Sequence, residues 1–153
     1  MSDFIQIERV PYEEPHHIEL NWKVSNRSIC TEFTYYDNAT SLIQIANGLD
    51  AFPKHANDVF LYEIGSEKPE DNFAYYFGFK LFTINGVGNS AIQIRFCDNP
   101  TMSYPEISQL CIQAEPADLH RLGKQFREFS KLEKTFLAWS RKESFIGEKY
   151  DYA

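Results

Sequence analysis

The sequence predicts an α+β fold: a mainly antiparallel β-sheet meander with two helices packed on one face. Several segments alternate apolar and polar residues with a period of two, and they follow one another through short turn-like links. Two other segments space their apolar residues at i, i+3, i+4 and i+7. Taken along the chain the order is (β)ββ-α-ββββ-α, and strands joined by hairpins pair antiparallel.

The first segment, Phe4 to Val10, suits a short strand that Pro11 ends or confines to a sheet edge, because proline has no N–H to give to a ladder. In YEEPHHIEL and the residues after it, Ile18, Leu20, Trp22 and Val24 alternate with Glu19, Asn21 and Lys23, so one face is apolar and the other wet. Pro15 then reads as the start of a strand. The cluster Ser25-Asn26-Arg27-Ser28 reverses the chain, and Ile29, Thr31, Phe33 and Tyr35 alternate with Cys30, Glu32, Thr34 and Tyr36 to complete a hairpin.

Asp37 or Asn38 can cap a helix whose apolar residues Leu42, Ile45, Ala46 and Leu49 share a face. Pro53 stops it by biasing Phe52 away from helical geometry. Val59 to Ile64 reads as a strand ending at Gly65, and Ser66 to Asn72 as a solvated loop. Phe73 to Ile84 is a long aromatic strand. Asn85-Gly86 at its end predicts a tight type I′ turn with positive φ at both residues, lengthened by Val87, Gly88 and Asn89. Ile92, Ile94 and Phe96 mark the return strand, and a loop with Pro100 and Pro105 leads to a strand around Leu110, Ile112 and Ala114.

Pro116 fits a first helical position, and Asp118 in the first turn complements the helix dipole. Leu119, Leu122, Phe126, Phe129, Leu132, Phe136 and Leu137 extend one apolar stripe, which predicts a helix of about six turns closed by Arg141 and Lys142. The last stretch, 143–153, has no periodicity and is expected to be a flexible tail of the single domain 1–153.

With 153 residues, 43% hydrophobic and 16% aromatic, the chain can bury a core of its own. No apolar run approaches the roughly 18 residues a membrane-spanning helix needs. MSDFIQIERV lacks the basic and apolar blocks of a signal peptide, so a cytoplasmic location is expected. Cys30, Cys97 and Cys111 are odd in number and far apart, which suits reduced thiols. Against 15 basic residues stand 22 acidic ones, giving a net charge of −7 that repels phosphate backbones. Neither nucleic acid nor a membrane is the expected partner.

YEEPHHIEL raises the possibility of metal chemistry, with His16 or His17 beside Glu13, Glu14 or Glu19. Alternation weakens it, since adjacent strand residues point to opposite faces and the spacing of a helical His-x-x-x-His is absent. His55 and Asp58 straddle a loop at a spacing that suits loop polarity better than a catalytic dyad. Gly86-Val87-Gly88 lacks the following helix that phosphate binding requires, and Cys97 and Cys111, on one face of neighbouring strands, have no basic partner to activate them. No catalytic residue, metal ligand or cofactor is therefore expected, and an enzyme is disfavoured. Tyr76, beside Gly78 on the open face of the aromatic strand, is a candidate anchor for a protein partner.

The hairpin, the helix ending Leu49-Asp50-Ala51-Phe52-Pro53, the strand ending Tyr62-Glu63-Ile64-Gly65, the Asn85-Gly86 turn and the long C-terminal amphipathic helix together resemble small immunity proteins of bacterial polymorphic toxin systems, of the WapI-like kind. The resemblance spans roughly Pro15 to Trp139. It implies a stoichiometric, non-catalytic inhibitor that binds a cognate protein toxin in the producing cell. The acidic balance would suit a basic nuclease toxin. On this reading the candidate partner-binding residues are Tyr76, Glu63, Glu67, Glu70 and Asp71. A small-molecule or accessory binding domain, with a pocket between sheet and helices, is the alternative; a metal-dependent enzyme is the remoter one.

Overall fold

The computed structural model describes residues 2–14, 16–98 and 106–152. Pro15, Pro100 and Pro105 fall outside the described residues. The architecture is α+β and its strands pair antiparallel throughout. They form two sheets rather than a single meander. One sheet has the order β3-β2-β1-β8-β9, built from β1 (Asp3–Glu13), β2 (His17–Asn26), β3 (Cys30–Asp37), β8 (Phe136–Trp139) and β9 (Ser144–Gly147). The other runs β4 (Val59–Gly65), β5 (Tyr75–Thr83), β6 (Ser90–Asp98) and β7 (Ile107–Ala114) in sequence order.

The alternation of each strand explains why the sheets face one another. Trp22, Phe33 and Tyr35 point inward from the first sheet and Phe77, Phe79 and Phe96 from the second, and all six are buried. Their rings interlock across the interface: Tyr35 stacks on Phe77 with centroids 4.4 Å apart, and Phe33 on Phe96 at 4.6 Å. Ring pairs of this kind add to area burial, which for a large apolar side chain is worth about 1.5–3 kcal/mol.

The helices α1 (Ala39–Ala51) and α2 (Pro116–Phe129) lie against each other. A Cβ at Gly123 of α2 would sit 3.1 Å from the Leu49 Cβ and 3.4 Å from the Ala46 carbonyl oxygen of α1, so the bare glycine permits this approach. Phe126 of α2 reaches both sheets, with ring centroids 6.2 Å from Trp22 and 6.1 Å from Phe79. The helix pair thus closes a core between two sheets instead of lying on one face of one sheet. Asn38 caps α1 by accepting the Ser41 N–H at 3.0 Å, and Leu42, Ile45, Ala46 and Leu49 form its buried face as the spacing predicts.

β1 runs through Pro11, so of the two roles the sequence offered it, ending the strand or lying at an edge, the second applies. The Arg9 N–H donates to the Thr135 carbonyl on the β8 side, so Pro11, two residues on, turns its missing N–H toward the same side. Pairing with β8 covers only Ile5 to Glu8, so no ladder bond is lost there. Arg9 itself is buried; its guanidinium donates to the Lys134 carbonyl oxygen at 2.9 and 3.2 Å and pairs with Glu14.

Three further expectations are corrected. The second helix ends at Phe129, and Leu132 turns the chain with φ 60°, so Phe136 and Leu137 belong to a strand. Residues 144–147, placed in a flexible tail, form β9 against β8, and Phe145 and Tyr152 pack on Phe136. At the β5–β6 connection the positive φ falls on Gly88 alone, at 97°, and Asn85 instead accepts the Val87 N–H through its side chain at 3.0 Å. The connection is longer than two residues, as expected: the four residues between Ile84 and Asn89 form a loop closed by an N–H···O bond of 2.7 Å between those two.

Candidate functional site

The outer face of the four-stranded sheet carries the residues that the sequence singles out. Register sets them in rows across β4, β5, β6 and β7: Leu61, Lys80, Gln93 and Cys111; then Glu63, Gly78, Arg95 and Gln109; then Gly65, Tyr76, Cys97 and Ile107. Gly78 leaves a gap in the second row, and Tyr76 fills it. A Cβ at Gly78 would lie 2.6 Å from the Tyr76 hydroxyl, so only glycine allows that ring to lie across the strand. The hydroxyl donates to Glu63 Oε2 at 2.7 Å. Tyr76 is consequently half-buried, not the freely exposed anchor that alternation suggested. Burial, then the Glu63 carboxylate, pushes its hydroxyl well above the ordinary tyrosine range.

Next to it, Arg95 forks onto Glu67, with Nε to Oε2 at 3.0 Å and Nη2 to Oε1 at 2.7 Å, and donates from Nη1 to Gln109 Oε1 at 3.2 Å. The Arg95 guanidinium holds the Glu67 carboxyl below its usual range, so Glu67 stays ionised. The Cys97 thiol donates to Glu67 Oε1 at 3.2 Å; burial first, then this carboxylate, pushes it up to about 11. A thiol so placed stays protonated and is a poor nucleophile. Cys97 and Cys111 lie two rows apart and both are free.

Glu70 and Asp71 sit in a short 3-10 turn, Pro69–Asp71, between β4 and β5, and Asp71 accepts the Ser66 hydroxyl at 2.5 Å. All five candidates, Tyr76, Glu63, Glu67, Glu70 and Asp71, therefore gather at one end of the four-stranded sheet. Asp98 at the end of β6 and Glu106 before β7 join the same end, and sequence reasoning passed over both. Arg95, on β6, and Lys68, in the turn, are the cations placed among them, and Arg95 is already committed to Glu67. On the same outer face, Val59, Leu61 and Ile107 are exposed.

The other sites considered in the sequence are drawn apart. His17 opens β2 and pairs with Glu13 across the hairpin, while His16 lines a hollow with Asn38 and Ser41 near the start of α1. Glu14 is engaged by Arg9, and Glu19 accepts from Asn21 and Tyr36. Among the described residues no group of three or more His, Cys, Asp or Glu side chains could hold a metal ion. Asp58 closes its own loop: it accepts the Lys54 N–H at 2.7 Å and the Val59 N–H at 2.9 Å, and His55 lies 3.6 Å away. The Lys54 N–H is the main reason its carboxyl titrates low.

A hollow of about 820 Å³ lies between the start of α2 and the β8–β9 turn, lined by Asp3, Arg27, Asp118, Arg141 and Glu143 among others. Its charges oppose one another, with Asp118 3.6–3.7 Å from Arg121 and Arg141 and Asp3 3.5 Å from Arg27.

The polar cluster least visible in the sequence lies at the inner end of β3. Asp37 is buried, accepts the Tyr62 hydroxyl at 2.7 Å and the Asn38 N–H at 2.9 Å, and has its carboxyl raised by burial. The signal was present in the alternation, because Asp37 shares the parity of inward Phe33 and Tyr35.

No helix among the described residues is long and apolar enough to cross a membrane. Comparison with protein-family models, with curated proteins and with solved structures returns no significant match for this chain.

Proposed function

We propose that this chain is a non-catalytic binding protein: an immunity protein that neutralises a cognate bacterial toxin by direct binding in the cytoplasm of the producing cell. The observation that carries the reading is the acidic end of the four-stranded sheet: Glu63, Glu67, Glu70 and Asp71 lie beside an outer face bearing exposed Leu61 and Ile107, and Asp98 and Glu106 add negative charge at the same end, toward β3. Apolar contact area with a charged rim is how protein interfaces divide affinity from selectivity. The Tyr76–Glu63 and Arg95–Glu67 bonds fix side chains before a partner arrives, which lowers the ordering cost of association. A basic toxin, a nuclease for example, supplies the opposite charge.

Co-expression with the toxic product of the adjacent gene tests this. Growth should be restored, the two proteins should copurify, and Glu63→Lys with Glu70→Lys should weaken both outcomes. Neither rescue nor copurification by the unaltered chain would sink the proposal.

A further inference from the structure

We propose that the groove between the free edge of β3 and the acidic end of the four-stranded sheet receives an extended, basic segment of the partner protein by strand addition. The inference rests on the binding reading above and names where and how the partner's chain is held.

β3 is an edge strand of its sheet. The hairpin bond from the Asn26 N–H to the Ile29 carbonyl sets which pairs exchange hydrogen bonds, and counting by two along the register makes Thr31, Phe33 and Tyr35 the residues bonded to β2. The main-chain groups of Cys30, Glu32, Thr34 and Tyr36 then point away from β2. One bond confirms the parity: the Tyr75 hydroxyl donates to the Tyr36 carbonyl at 2.9 Å. That contact also ends the usable edge, leaving Cys30, Glu32 and Thr34 to pair with an incoming strand.

The groove beside this edge has a volume of about 400 Å³. Phe33, Tyr75 and Phe96 form its aromatic floor, and Glu32, Asp98 and Glu106 stand around it. No Lys, Arg or His is among the described residues that line it. Some carboxylates, Glu14, Asp50, Glu67 and Asp118 among them, are matched by Arg; among the described residues the three around the groove, like Glu70 and Asp71 nearby, have no Arg or Lys partner. Lys23 lies opposite Glu32 on β2 without reaching ion-pair distance. An open strand edge, an apolar floor and unmatched negative charge together fit an extended segment with basic side chains. An acidic or nucleic-acid ligand is opposed by the charge.

The test uses the full chain and a fluorescein-labelled peptide, Thr-Arg-Val-Arg-Val-Arg-Thr, with a second peptide carrying Glu for Arg, followed by fluorescence anisotropy. The Arg peptide should bind and the Glu peptide should not. Asp98→Lys with Glu106→Lys, both at exposed positions, should weaken binding about tenfold or more by opposing like charges. Thr34→Pro, which deletes an outward N–H and leaves the β2 bonds in place, should weaken it too; thermal unfolding of each variant checks that the fold persists. Absence of binding, equal binding of both peptides, or unchanged affinity in the charge-reversed variant overturns the inference. So does a dimer in sedimentation that Thr34→Pro dissolves, since the edge would then serve a second copy. Rescue by the unaltered chain together with full rescue by the groove variants removes the groove and leaves the immunity reading standing. Failure of rescue by the unaltered chain, with peptide binding intact, removes the immunity reading alone.

Discussion

Two tyrosines whose hydroxyls feel the same carboxylate, Asp37, have opposite expected effects on stability. Tyr62 donates to buried Asp37, and deleting that donor in Tyr62→Phe leaves a carboxylate oxygen short of a partner, a loss of about 1–3 kcal/mol. The Tyr35 hydroxyl is sealed in the core without a well-formed hydrogen bond among the described residues; the Trp22 indole N–H is directed at it and only partly offsets the cost of its burial. Tyr35→Phe removes a desolvated polar group, so it should be neutral or stabilising. Urea denaturation of the two variants decides this, and equal losses would contradict the assignment. Asp37 itself fixes a pH dependence. Burial raises its carboxyl above the ordinary value of 3.8, so the folded chain holds that proton more tightly than the unfolded chain. Between 3.8 and the raised value the native state binds more protons, and the contribution of Asp37 to stability falls as pH rises. Asp37→Asn removes that slope and should gain on the unaltered chain as pH rises above 3.8. The parity of Asp37 was legible in the sequence; its partner Tyr62, on another sheet, was not, because strand alternation says nothing about which sheet lies opposite.

The elements that the sequence placed well are those whose pattern has one reading. β2, β3 and α1 keep a single period between clear turn or cap residues, and their buried faces match the spacing. The end of α2 failed for a physical reason: Leu132, Phe136 and Leu137 continue the helical spacing of Phe129, while the run Phe136 to Trp139 is apolar at every position and equally suits a strand buried on both sides. Leu132 at positive φ breaks the helix without glycine or proline, so no residue type announced it. The tail misled in the same way, since a strand of four residues is too short to show a period. Its contribution is measurable. Ending the chain after Ser140 removes β9, takes from Gln125 the Phe145 carbonyl it bonds at 3.0 Å, and uncovers Phe136. Exposing one large ring costs about 1.5–3 kcal/mol, so the truncated chain should unfold at clearly lower urea concentration. An unchanged midpoint would mean that the strand contributes nothing.

Net charge was plain in the sequence, but its placement was not, because the acidic residues at positions 63–71, 98 and 106 are separated in the chain and meet only when β4, β5, β6 and β7 align. That alignment concentrates negative charge at one end of the sheet, and Arg95, paired with Glu67, moderates it. Its pair with Glu67 is bidentate yet partly open to solvent, with the two side chains 29% and 40% exposed, so Arg95→Ala should cost under about 1 kcal/mol of stability. The same change releases the Glu67 carboxylate and deepens the negative potential at this end of the sheet. A basic partner drawn to this end should then associate faster with the variant than with the unaltered chain. The gain is a field effect, and the screening length shrinks to about 3 Å at 1 M salt, so the two association rates should converge as salt is added. Stopped-flow mixing with a catalytically dead toxin domain at low and high salt measures this directly. A slower association at low salt would show instead that Arg95 itself contacts the partner, and a difference that persists at high salt would place the effect in local packing rather than in the field.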